Sequence, residues 1–271
     1  MGVWQKWKTI ILAFIGNDIV DLTDPGNIGK SGDKRFLQRV FTSPEREIIA
    51  AAGDPDAMMW TLWAAKETAY KVVRKIDPLA ASTPRLYPVV LSPGDHGPIR
   101  SGMVYTPQGP VCIRVSVAGE YLHCIGATTP DILDHVLWDI ERLPPSEDGG
   151  DHAPDIGLYC HPEKHCGEES QLSREVTRER RKGIKMTRPA LSQTLDPSMA
   201  VRRHARLRLA ALLHASAADI TIRRFQDNHG WGPPRPYFKG KPAPFDLSFS
   251  HDGAFVAYAM IPLPVAGWMI P

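Results

Sequence analysis

The sequence has almost no excess charge of either sign. Its 32 Lys and Arg are set against 30 Asp and Glu, a formal +2 over 271 residues. Without a basic surplus there is no electrostatic footprint for gripping a phosphate backbone, so a nucleic-acid binder is not expected. Long apolar runs are missing too. The run TIILAFI at 9–15 is far shorter than the roughly 20 residues that span a bilayer. Lys6 and Lys8 before it give it the outline of a signal peptide, but no small-residue cleavage site follows. It reads as a buried strand in a soluble, cytoplasmic protein with no membrane partner. Cysteine is scarce: Cys112, Cys124, Cys160 and Cys166 are all there are, and a disulfide framework is not expected in a chain this long. Proline, by contrast, is plentiful at 25, which favours many loops and excludes a long coiled coil. With 43% hydrophobic residues, the chain has ample material for one large core or two smaller ones.

Punctuation divides the chain into three. Residues 1–128 read as strand, helices and sheet. Thr9 to Leu22 is the first strand. Ser43, Pro44, Glu45 and Glu47 mark a helix start, and Asp54-Pro55 marks another, whose helix runs to Asp77-Pro78. In 86–127, GPVCIRVSVAGEYLHCIGA gives two strands about a Gly-Glu turn. Residues 129–195 form a linker or insertion. It opens on a helical reading of DILDHVLWDIERL and passes into the turn-rich PPSEDGGDHAPD. Residues 196–271 form a second unit: an Arg-rich helix with apolar Leu209, Leu212 and Leu213, a strand DITIRRF, a Pro-rich loop, and a hairpin about Asp252-Gly253. The hairpin FDLSFSHDGAFVAYAMI repeats the pattern of VCIRVSVAGEYLHCIGA. The expected fold is α+β, with two similar halves about a pseudo-twofold axis.

Several places carry chemistry. Asp18 interrupts an apolar strand, which costs several kcal/mol unless the carboxylate is paired or binds a metal; capping a strand end is the alternative. Asp21 lies three residues on, and strand alternation turns it to the other face. In WAAKETAYK (63–71), Glu67 and Lys71 share a helix face while Lys66 points about 100° away. Alone, Glu67 and Lys71 are an ordinary i,i+4 pair worth a few tenths of a kcal/mol. Together with Asp18, Glu67 supplies the oxygen ligands that suit Mg²⁺, which keeps waters and recruits substrate phosphates. His251, at a strand end, is either a structural histidine or a phosphate ligand. Arg202, Arg203 and Arg206 are either a solvated helix face or further cations, and Arg235 is held in a rigid loop. CHPEKHC (160–166) has two Cys and two His, either a crowded zinc site or a polar loop.

Taken together, GNDIVDL followed by WAAKETAYK resembles the paired signature of the 4′-phosphopantetheinyl transferases, roughly G-x-D-[IV] and [FW]-x-x-K-E-[AST]-x-x-K, in the family's order. KRFLQRVFTSPERE between them is similar to a segment of the holo-acyl-carrier-protein synthases. RRHARLRLAALL, PRPYF and LSFSHDG resemble the other half of the larger pseudodimeric members, where that half usually comes first. The resemblance covers about 10–128 and 196–262. It implies transfer of phosphopantetheine from coenzyme A to a serine of an acyl or peptidyl carrier protein, with release of adenosine 3′,5′-bisphosphate. It further implies Asp18 and Glu67, with Asp21 as a third candidate, as Mg²⁺ ligands and Glu67 as base. Lys71 and Lys66 would sit on the pyrophosphate, and His251, Arg235 and one of Arg202 and Arg206 on the 3′-phosphate. Lys34, Arg35 and Arg39 are the candidate docking surface for an acidic carrier, and a cleft between the halves would let a monomer act. The alternative is a catalytically inactive, transferase-like module that binds carrier proteins.

Overall fold

The computed structural model describes residues 13–93, 97–144, 196–227 and 230–263. CHPEKHC lies outside the described residues.

The first unit is built on strand β1 (Ile15–Asp21). Helices α1 (Lys34–Val40) and α2 (Ser43–Ala51) follow. The cap of α2 is Thr42 rather than the expected Ser43. Glu45, three residues on, reaches back to accept from the Thr42 N–H at 2.7 Å and the Thr42 hydroxyl at 2.9 Å, a capping-box arrangement. Helix α3 (Pro55–Ile76) is capped by Asp54, which accepts from the Ala57 N–H at 3.0 Å. Four strands complete the unit: β2 (Val89–Leu91), β3 (Ile99–Thr106), β4 (Gly109–Ala118) and β5 (Tyr121–Ala127). They form an antiparallel sheet ordered β1-β5-β4-β3-β2. The apolar stripe of α3, including Leu62, Ala65, Ala69 and Val72, is buried against it.

The close approach of α3 to the sheet depends on a missing side chain. A Cβ on Gly16 would stand 2.2 Å from the Thr68 carbonyl oxygen, so only glycine lets the helix lie this near β1. In a strand, residues 16 and 18 share a face. The glycine that admits the helix therefore sets Asp18 directly under it.

The region expected to begin with a long helix does not. Helix α4 (Pro130–Asp134) has five residues, and strand β6 (Leu137–Arg142) follows. β6 pairs with a strand more than a hundred residues later, and that tertiary edge overrides a helical reading of a half-polar stretch. Beyond 195 come α5 (Pro197–Leu212), β7 (Ile220–Arg223), β8 (Gln226–Asp227), β9 (Gly230–Trp231), β10 (Arg235–Phe238), β11 (Lys241–Pro242), β12 (Phe245–Asp252) and β13 (Phe255–Pro262). One small sheet runs β11-β10-β7 and another β12-β13-β6. The order β6-β13-β12 repeats the order β1-β5-β4 of the first unit, each a hairpin with an earlier strand added to its second arm.

The two sheets meet where β1 runs alongside β12. No backbone ladder joins these strands. Side chains close the edge instead: the N–H groups of Ile15, Asn17 and Asp21 donate to Asp246 (2.8 Å), Ser248 (3.0 Å) and Asp252 (2.8 Å). The constant offset between partners means the strands are parallel and in fixed register. Edge N–H groups left without partners in such a place would cost free energy, and these are satisfied one by one. At the far end, Asp21 accepts from the Ala254 N–H at 2.9 Å and lies against Gly253, which has φ 50°.

Candidate active site

Helix α3 sends lysines onto the seam. The Lys71 ammonium donates to the Asn17 carbonyl (2.8 Å) on β1, the Asp18 carboxylate (2.9 Å) and the Phe249 carbonyl (3.2 Å) on β12. One turn on, Lys75 donates to the carbonyls of Ile15 and Leu247, both at 2.7 Å, and to Asp246 at 2.8 Å. Each ammonium thus spends three hydrogens across the two strands.

Above this seam opens a cleft of about 600 Å³. Asp18, Glu67, Tyr70, Lys71 and Arg74 line it from the first unit, and Arg224, Trp231, Pro233, Pro234 and His251 from the second. Burial pushes the Asp18 carboxyl pKa upward, against the Lys71 ion pair, the field of His251 and a hydrogen bond from the Ile19 N–H. Asp18 and Glu67 are two carboxylates on one wall with cations on both. Two carboxylates lining one cleft are oxygen donors of the kind Mg²⁺ takes beside waters and phosphate oxygens, while among the described residues no group of three or more His, Cys, Asp or Glu side chains gathers to hold a metal by itself.

Residues 14–90 match the family model of the 4′-phosphopantetheinyl transferase superfamily. This stretch of the chain is similar to that superfamily. The match spans the strand and helix that carry Asp18, Glu67 and Lys71, and it ends before β6. A comparison with curated proteins gives no match. Among the described residues, no helix is long and apolar enough to cross a membrane.

The fold does not bring every expected residue to the cleft. Lys66 points into the protein, 1% exposed, with its ammonium 2.7 Å from Glu45 and bonded to the carbonyls of Tyr87 (2.9 Å) and Pro84 (3.2 Å). Burial lowers its pKa and Glu45 opposes the shift. Glu45 also accepts from the Val89 N–H at 2.9 Å. The pair ties α2, α3 and β2 together, and Lys66 is out of reach of a ligand in the cleft. Asp21 faces away from Asp18. Burial raises its pKa, but donors from Ala254, Thr23 and Asp24 outweigh that and hold it low, filling the lone pairs a metal would need.

In the second unit, the Pro-rich loop does wall the cleft, but Arg235 stands beyond the lining residues with its guanidinium 5.9 Å from the Phe225 ring. Arg224 takes the inward place, its Nε donating to the Gly232 carbonyl at 2.7 Å. The doubled arginine of DITIRRF was the available signal. Successive residues turn opposite ways, and Arg223 goes instead to the Tyr237 ring. On α5, Ser198 and Val201 line the cleft. Arg202 folds back onto the Ser198 carbonyl at 2.9 Å and onto its hydroxyl, and Arg206 is exposed outside the lining. Lys34, Arg35 and Arg39 are exposed on α1, opposite buried Phe36 and Val40.

Proposed function

We propose that the protein is a Mg²⁺-dependent 4′-phosphopantetheinyl transferase that moves phosphopantetheine from coenzyme A to a serine of an acyl or peptidyl carrier protein. One observation carries this reading: a single cleft unites Asp18, Glu67 and Lys71 from the matched stretch with His251 and Arg224 from the other unit. A pseudodimer of two related halves, supported by the shared strand order β1-β5-β4 and β6-β13-β12, accounts for a site at their junction.

In this reading His251 and Arg224 hold the 3′-phosphate of coenzyme A, Arg224 standing where Arg235 was expected. Glu67 accepts the proton of the carrier serine as its oxygen bonds to the phosphorus next to the pantetheine. The bond from that phosphorus to the bridging oxygen breaks, and adenosine 3′,5′-bisphosphate leaves. Lys71 stabilises the charge left on the leaving phosphate. Of its three contacts, the 3.2 Å bond to the Phe249 carbonyl is the longest and the one to yield to a phosphate oxygen. Asp18 and Glu67 would hold the Mg²⁺, which would supply neutralisation of the pyrophosphate charge. The exposed cations Lys34, Arg35 and Arg39 form the docking face for an acidic carrier.

The test is direct. Purified protein is incubated with coenzyme A, Mg²⁺ and apo carriers of the fatty-acid, polyketide and peptide-synthase classes, and each carrier is weighed. A mass gain of one phosphopantetheine on at least one carrier is expected. Carrier binding with no mass gain on any carrier would identify an inactive binding module.

A further inference from the structure

The two walls of the cleft belong to different sheets, and no ladder fixes the register of β1 against β12. Along that seam, Asp18 and the Lys71 contacts lie between two ends that are held differently. At one end Asp21 packs on Gly253 and accepts from Ala254. At the other, the Asp246 carboxylate accepts at one oxygen from both the Ile15 N–H and the Lys75 ammonium, each at 2.8 Å. Lys75 adds the Ile15 and Leu247 carbonyls. Its side chain is 4% exposed and that of Asp246 is 12%. Burial lowers the Lys75 pKa, Asp246 opposes this, and the neighbouring Lys71 lowers it further, so the ion pair is what keeps an ammonium in this place. Lys75 reaches the cleft floor but has no hydrogen left for a ligand, because three acceptors take all three.

We propose that Lys75, with Asp246, is a positioning pair that bolts β1 to β12 and so fixes the spacing between the Asp18–Lys71 wall and the His251–Arg224 wall. Lys71 is the weaker of the two lysine ties: it is more exposed, at 29%, and its contact to β12 is the long one. The Asn17 bonds to Ser248 and Ser250 are neutral. Loss of the bolt leaves both sheets intact and loosens only their junction. Coenzyme A is the ligand that must span both walls, so its binding suffers, while the carrier, docking on α1, is little affected.

The activity arm rests on the transferase reading; the exchange arm does not. Lys75→Met and the milder Asp246→Asn are compared with the parent protein by amide hydrogen exchange and by steady-state transfer. Exchange at the Ile15 and Asn17 amides should rise at least tenfold, with Val115 and Leu122 in the sheet interior unchanged. KM for coenzyme A should rise about tenfold, with KM for the carrier within twofold. Equal acceleration at all four amides in Asp246→Asn, or a parallel rise of both KM values, would overturn the proposal and leave the pair a general stabiliser. If the parent protein transfers nothing, the function reading fails and the four amides still decide the bolt.

Discussion

Replacing Lys66 by Met separates structural from catalytic use of the WAAKETAYK lysines. The Lys66 ammonium and the Glu45 carboxylate are 1% and 2% exposed and 2.7 Å apart. Methionine fills similar volume but leaves a carboxylate in the core without its cation. Breaking a buried pair from one side costs about 3–5 kcal/mol. Glu45 keeps donors from Val89 and Thr42, which favours the lower end, about 3 kcal/mol. The carbonyls of Pro84 and Tyr87 lose their shared donor as well. For a chain of this size that is a fall in Tm of roughly 6–12 °C. Adding Glu45→Gln should recover only part of the loss, because the amide is neutral but its NH₂ must face either the Thr42 or the Val89 N–H that the carboxylate accepts. The measurements are urea unfolding followed by tryptophan fluorescence, and transfer assayed well below the transition. Turnover per folded molecule should stay within twofold. A stability loss under about 1 kcal/mol, against the 3–5 of an uncompensated buried charge, would refute the structural assignment. So would a tenfold loss of turnover in fully folded protein, which would return Lys66 to the pyrophosphate.

Glu67→Gln keeps shape but removes the charge and the base; transfer should fall at least ~100-fold with little change in Tm, read by mass spectrometry and calorimetry. Gly16→Ala puts a Cβ into the Thr68 carbonyl, a backbone atom that cannot swing aside, so stability should drop by about 1–3 kcal/mol or more in the urea midpoint. Asp252 is raised to about 6, by burial first and by Asp18 and Asp24, against hydrogen bonds from Asp21 and Asn27. The folded state therefore keeps a proton that the unfolded chain gives up near 3.8. The stability this supplies is present below that value and is lost as pH rises through about 6, up to about 3 kcal/mol on a two-unit shift. Asp252→Asn preserves an acceptor and should flatten the slope of Tm between pH 4 and 6, with a higher Tm at pH 8.

The sequence by itself determined the local elements and their faces. Asp54-Pro55 started α3, the Gly-Glu and Asp-Gly turns made the hairpins, and strand alternation put Asp18 and Asp21 on opposite sides. The two spaced motifs pointed to a superfamily that the 14–90 match independently returned. Helical geometry even separated Lys66 from Glu67 and Lys71. It could not say that Glu45, on another helix, waits on the Lys66 side while a cleft opens on the other. Periodicity gives the direction of a side chain relative to its own element, not what stands opposite. Everything of that second kind was decided by tertiary structure. β6 is a strand because β13 offers an edge. Arg224 rather than Arg235 turns inward because the Gly232 carbonyl of the Pro-rich loop holds its guanidinium there. Lys75, unremarkable at the end of a helix, becomes a bolt because two strands 231 positions apart come to lie in register beneath it.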